Sequence, residues 1–300
     1  MTGAPTKGAS PATRMGAGSS KGPRATNQDA VLTASLGPDA ALVALADGMG
    51  GLEAGERSAR TAVRAFHEAV KAGSDARRAV ALANEAVLEA AGDASTGTTL
   101  VAAVVREGRA TVVNVGDSRA WHRSRLGLAC LTRDHTLEAD DDGTADPRER
   151  AAVAGTRWGA TLTRSLGGSP RVDPDVFGPV ALERGDDLLL TSDGVHEALS
   201  PEEIAAVLQD HADPEAAARA LVDRAVEAGT GDNASAVVLS RTGPPRASRP
   251  ASPAPRPWDP AHLVRLSRRR PARRGLWVRV VLFVLAAGAA GAALIGFLVS

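Results

Sequence analysis

The chain contains one cysteine, Cys130, and no tyrosine, and aromatic residues fill only 3% of its 300 positions. A single thiol excludes a disulfide framework and any zinc site built on cysteine pairs. With so few aromatics the packing falls to Ala, Val and Leu, and a 44% hydrophobic content is enough for a real core. Formal net charge is zero, which argues against a nucleic-acid binder driven by bulk charge. There is no HExxH helix, and no apolar h-region follows the start, so the opening segment is not a signal peptide. Its Gly, Ala, Ser, Thr and Pro content, with scattered Lys and Arg, predicts a disordered tail over 1–20.

What the chain does have is a short apolar run that opens onto glycines at residues 42–51, Leu-Val-Ala-Leu-Ala-Asp-Gly-Met-Gly-Gly. This reads as a buried strand ending in a tight turn, with Asp47 at its tip. Residues 30–36 form a preceding strand, and Gly37-Pro38-Asp39 is turn chemistry between the two. Antiparallel pairing of that hairpin brings Asp29 and Asp47 to one edge of a sheet. Helical spacing follows over 53–70 and 75–91, joined by a short connection that ends in an N-cap at Ser74. Strands resume at 98–105, 110–115, 120–122 and 186–191. Helices over 201–209 and 213–228 precede a last strand at 235–239. This order predicts a mixed-sheet sandwich flanked by helices. The polar stretch 133–160 is too long for an idle connection.

Several turns carry an acid beside a predicted strand: Asn27-Gln28-Asp29, Asp47-Gly48, Gly116-Asp117-Ser118, Ser192-Asp193-Gly194 and Gly231-Asp232-Asn233. With no Cys/His pair at zinc spacing, a metal site made from them would be all-oxygen and would suit Mg²⁺ or Mn²⁺ with retained waters. Two such ions a few Å apart can bridge a water, lower its pKa and aim it at a phosphorus atom. Arg24 adds a planar fork that matches two phosphate oxygens.

These turns, together with Ser95-Thr96-Gly97-Thr98-Thr99, Asp134-His135-Thr136 and Leu162-Thr163-Arg164-Ser165-Leu166-Gly167, resemble the ordered motifs of the metal-dependent type-2C serine/threonine protein phosphatases. The resemblance implies an α+β fold over 21–242, a central β-sandwich flanked by helix pairs on both faces, with a di-metal cleft at one edge. It implies two Mn²⁺ or Mg²⁺ ions, with Asp47 bridging them, Gly48 offering its carbonyl, and Asp193 and Asp232 ligating one. Asp29 would serve the other ion through water, Asp117 would serve a third, weaker ion, and Arg24 would hold the phosphate. Residues 134–160 would form a flap beside the cleft. Two departures stand out. Gln28 replaces a common glutamate, which implies altered metal affinity. Met49 stands where animal relatives often carry a histidine proposed as general acid, which leaves His135 as the nearest motif-linked alternative, with a structural role favoured.

Residues 243–275 read as a Pro/Arg-rich linker, and 276–299 as a transmembrane helix. Seven arginines between Arg265 and Arg279 predict, by the positive-inside bias, a single-pass protein at the cytoplasmic membrane with its catalytic domain in the cytoplasm. Gly288, Ala292 and Gly296 form a small-residue stripe through which the span could make a homodimer. The expected partners are phosphorylated proteins, including membrane-bound serine/threonine kinases and their substrates, and not nucleic acid. The alternative reading is a non-catalytic phosphoprotein-binding regulator, or a switch phosphatase, of the same fold.

Overall fold

A computed structural model of the chain describes residues 13–92, 94–140 and 161–242. The predicted linker, the transmembrane helix with its dimer stripe, and residues 141–160 of the flap lie outside them. Among the described residues, no helix is long and apolar enough to cross a membrane.

A five-stranded and a six-stranded antiparallel sheet face each other. In chain order the strands are β1 (Thr13–Ser20), β2 (Asp29–Gly37), β3 (Ala40–Met49), β4 (Gly97–Thr98), β5 (Leu100–Arg106), β6 (Arg109–Val115), β7 (Arg119–Ser124), β8 (Gly127–Cys130), β9 (Asp175–Ala181), β10 (Asp187–Thr191) and β11 (Ala234–Arg241). One sheet runs β1-β11-β10-β7-β8 and the other β2-β3-β5-β6-β9, with the two-residue β4 paired to the end of β3. The expected mixed pairing is absent among the described strands, because every ladder between them is antiparallel.

Three apolar layers follow from the alternation of side chains along these strands. Val43, Leu45, Val101, Leu188, Leu190 and Val237 meet between the sheets. On the far face of the β3 sheet, Leu42, Leu100 and Val113 pack beneath α1 (Leu52–Lys71) and α2 (Ala76–Ala91) around the fully buried Phe66. On the far face of the other sheet, Leu189 and Val238 pack beneath α4 (Pro201–Asp210) and α5 (Pro214–Glu227), with the short α3 (Asp193–His196) following β10. All five positions of β10 are buried, as a strand covered on both faces requires. The helix starts are specified locally. Asp75, one residue beyond the predicted Ser74, caps α2 by accepting the Arg78 N–H at 2.8 Å. Ser200 and Glu203 form a capping box ahead of α4.

Residues 13–20 correct the predicted tail. They form strand β1, paired along its whole length with β11. Met15 and Ala17 point into the layer between the sheets. Gly16 and Gly18 face α5, where an added Cβ would stand 2.2 Å from the Glu215 backbone and 2.9 Å from the Ala218 carbonyl. The helix rests on bare backbone, so the strand needs the glycines that made it look like a loop. Gly16→Ala is expected to cost about 2 kcal/mol by overpacking, read as a lower midpoint in urea. Gly51→Ala, where a Cβ meets nothing within 4 Å, should leave that midpoint nearly unchanged.

Candidate active site

The hairpin of β2 and β3 sets Asp29 directly opposite Asp47 across the ladder. The remaining acids come from the other sheet and from the β6–β7 turn. Asp193 opens α3 immediately after β10, Asp232 lies in the loop that enters β11, and Asp117 sits between β6 and β7. After burial, the strongest influences on Asp47 are four charges of its own sign, Asp29, Asp193, Asp117 and Asp232. The sequence-predicted acids therefore share one field.

That field shows in their protonation. Burial first, then neighbouring acids, hold Asp47 well above the usual carboxylate range. Burial, with Asp117 and Asp232 next, pushes Asp193 up to about 8. Asp29 is raised to about 6 by burial, against hydrogen bonds from Ser235 and Ser192 that favour its charged form. Burial raises Asp117 to about 6 as well. Acids kept this uncomfortable stand ready for a cation.

Backbone and hydroxyl contacts fix the carboxylates in place. The Asp47 N–H donates to Thr99 Oγ1 at 2.9 Å, and its carbonyl accepts from Thr98 Oγ1 and the Thr99 N–H, both at 2.8 Å. Ser192 Oγ donates to Asp29 Oδ2 at 3.0 Å while accepting the Ser235 N–H at 2.9 Å, which ties the two sheets together at the site. Asn233 accepts the Gln28 N–H at 2.8 Å and donates to the carbonyls of Lys21 and Thr26. It thereby holds the segment carrying Arg24 against the loop carrying Asp232. The Arg24 guanidinium reaches Asp232 Oδ2 at 2.6 Å and the Gly231 carbonyl at 2.9 Å. It stays half exposed, with the rest of its fork of N–H donors open to a substrate. Gly48 lies so close to α1 that an added Cβ would stand 2.2 Å from the Gly55 carbonyl.

The β6–β7 turn carrying Asp117 is braced from behind. Fully buried His135 accepts the Gly116 N–H on Nδ1 at 3.1 Å and points Nε2 at Asp175, 3.3 Å away. The ring therefore positions the Asp117 turn. It has no open side from which to protonate a leaving group. Arg119 grips Asp134 through two bonds, at 3.0 and 2.7 Å, beside the same turn. Sequence reasoning passed over Ser192, Asn233 and Thr99 as site-builders. The available signal was their adjacency to a motif acid or strand end, which does not say which way a side chain turns.

Gln28 has a role that the sequence did not indicate. Its Nε2 donates to the Gly50 carbonyl at 2.9 Å, pinning the glycine turn after Asp47. A carboxylate here would face that carbonyl with no proton to share. Gln28→Glu is therefore expected to lower stability by about 1–2 kcal/mol in metal-free protein, measured by chemical denaturation, instead of merely retuning metal affinity.

A metal fits this chemistry. Asp29 Oδ1 and Asp193 Oδ1 are buried acceptors with no hydrogen-bond partner, and the donors are all oxygen, as hard divalent cations prefer. Among the described residues, no three acidic, histidine or cysteine side chains enclose an ion by themselves. A bound ion would complete its shell with water, as Mg²⁺ and Mn²⁺ do.

Two antiparallel sheets between helix layers, with clustered carboxylates at one edge, define the phosphatase fold called PPM. The chain belongs to the protein phosphatase 2C family, whose sequence profile matches residues 20–226, and it is a serine/threonine protein phosphatase. It is 34% identical to the crystal structure of the PPM Ser-Thr phosphatase MsPP from Mycobacterium smegmatis in complex with cacodylate (TM-score 0.65, covering 76% of this chain and 98% of that one). It is 30% identical to the catalytic domain of the serine/threonine phosphatase PstP in complex with two manganese ions (TM-score 0.64, 77% and 99%). The serine/threonine phosphatase stp of Listeria monocytogenes is 29% identical over 217 residues, 67% of this chain and 84% of that protein.

Proposed function

We propose that this phosphatase hydrolyses phosphoserine and phosphothreonine on cytoplasmic proteins, using two divalent cations, Mn²⁺ or Mg²⁺, at the carboxylate cluster. The observation that carries the reading is the cross-strand pair Asp29 and Asp47, joined by Asp193 and Asp232 from the opposite sheet. Asp47 would bridge both ions with Gly48 offering its carbonyl, Asp193 and Asp232 would hold one, and Asp29 would serve the other through water. Asp117 would hold a third, weaker ion. When bound, such ions neutralise phosphate charge and acidify a shared water, so that a nucleophile exists at neutral pH.

The chain's own groups do the rest. Arg24 orients the phosphoryl group with its free N–H donors, from a guanidinium already anchored on Asp232 and the Gly231 carbonyl. Ser192 directs one oxygen of Asp29 and leaves the other free. Met49 brings no proton, so the leaving oxygen takes its proton from water in the cleft. The apolar segment 280–299 and the arginines before it support attachment to the cytoplasmic face of a membrane. Membrane-bound serine/threonine kinases and their substrates would be within reach there.

The test is hydrolysis of an aryl phosphate and a phosphothreonine peptide by the full chain, with Mn²⁺, Mg²⁺ or chelator, beside Asp232→Asn. Turnover that needs metal and falls at least about a hundredfold in the variant supports the reading. Undiminished turnover in chelator, or in Asp232→Asn, would overturn it.

A further inference from the structure

At the end of the sandwich away from the acids, a groove of about 340 Å³ opens between β2 and the last turns of α1. Its floor is apolar, from Ala34, Leu36 and Val70, and its rim carries His67, Lys71 and Arg106. No carboxylate lines it. His67 already faces a carboxylate, because Glu68 lies 3.4 Å from its Nδ1. Lys71 and Arg106 do not. Arg106 also stands directly across the β5–β6 ladder from Arg109, and like charges placed so repel. Among the described residues, Lys71, Arg106 and Arg109 have no ion pair and no side-chain hydrogen bond. Arg77, Arg123 and Arg164 on the same molecule each hold a carboxylate.

We infer that this groove docks an acidic segment of the phosphoprotein substrate, with an aliphatic side chain on the floor and carboxylates on Lys71 and Arg106. The inference rests on the phosphatase reading above. Charge complementarity names the occupant's sign, and the apolar floor favours a peptide over a bare anion, which would leave the floor uncovered. The geometry suits a peptide as well. β2 is an edge strand that runs from the groove at Ser35 back to Asp29. Six residues of extended chain cover that interval of about 20 Å. A phosphorylated segment lying beside β2 would place its phosphoresidue at the acids and its acidic residues in the groove.

The experiment compares the full chain with the double variant Lys71→Glu/Arg106→Glu. Both positions are exposed and neither belongs to the catalytic cluster. Three substrates are used: an aryl phosphate, a phosphothreonine peptide with neutral flanks, and the same peptide with a Glu-rich, Leu-containing segment about six residues away on either side. The expected result is a KM about tenfold lower for one acidic peptide, weakened by salt and lost in the variant, with aryl phosphate turnover unchanged. Equal treatment of the peptides by the parent chain, or a preference that survives in the variant, overturns docking while leaving the phosphatase intact. If the parent chain hydrolyses nothing, the phosphatase reading fails instead. Fluorescence anisotropy of the acidic peptide on both proteins then still decides the docking. Loss of binding to vesicles containing anionic lipid, without any peptide preference, would assign the groove to a membrane and overturn the inference.

Discussion

Asp47→Asn is expected to abolish turnover and, in chelator, to raise the melting temperature. The two effects have one cause. Asp47 is buried among Asp29, Asp193, Asp117 and Asp232, and its charged form is strongly disfavoured. The backbone contacts that hold this position, to Thr98 and Thr99, use its N–H and carbonyl and survive the substitution. Asparagine keeps the shape and removes the repulsion. Relief of one such charge should gain about 1–2 kcal/mol, or a few degrees for a domain of this size. The same charge is what a cation would need, so turnover with saturating Mn²⁺ should fall by about a thousandfold or more. Steady-state kinetics and a chelated thermal melt on the same preparation check both halves. A lower melting temperature would show that Asp47 is a stabilising partner in the cluster and would sink the account of an electrostatically strained site.

The parts of this site that the sequence revealed are those in which local chemistry and global position agree. The β2–β3 hairpin was readable because Gly37-Pro38-Asp39 punctuates two apolar runs, and the resulting register puts Asp29 against Asp47 without further information. The helices were readable from their spacing and caps. The approach of Asp193 and Asp232 to that pair was not readable from spacing, since it depends on how one sheet is laid over the other. It came through resemblance to a family. β1 escaped notice because a helix lies on its outer face, so Gly16 and Gly18 replace the side chains that would have marked a strand. β9 escaped because it is an edge strand interrupted by Gly178-Pro179, beside a register shift opposite Ala110 and Val112. The roles of Gln28 and His135 depend on which neighbour a polar side chain meets, and no periodicity encodes that.

Raising the pH from 6.5 to 8 in chelator should destabilise the protein, and Mn²⁺ should reverse the trend. Acids whose folded pKa lies above the unfolded value bind extra protons in the native state, so stability falls as pH rises through the interval between the two. For Asp193 that interval runs from the ordinary 3.8 to about 8, and Asp47 is shifted in the same direction. At about 1.4 kcal/mol per proton and pH unit, Asp193 alone loses about 2 kcal/mol across the window, a fall of about 5 °C. Asp29 and Asp117, raised to about 6, give up most of their contribution below it. The window matters because His196 acts oppositely. Burial holds its ring neutral, so the unfolded state takes up the extra proton below about pH 6.5, which offsets the contribution of one of the acids on further acidification. The four acids outweigh that one ring, so metal-free stability should keep rising on acidification towards about pH 4, where the unfolded carboxylates also take up protons. A cation replaces the protons on the acids, so the stabilisation by Mn²⁺ should be larger at pH 8 than at pH 6.5. Thermal melts at both values, with metal and with chelator, measure it directly. A metal shift that is the same at both would mean that ions bind without displacing protons, and the carboxylate cluster would then not be their site.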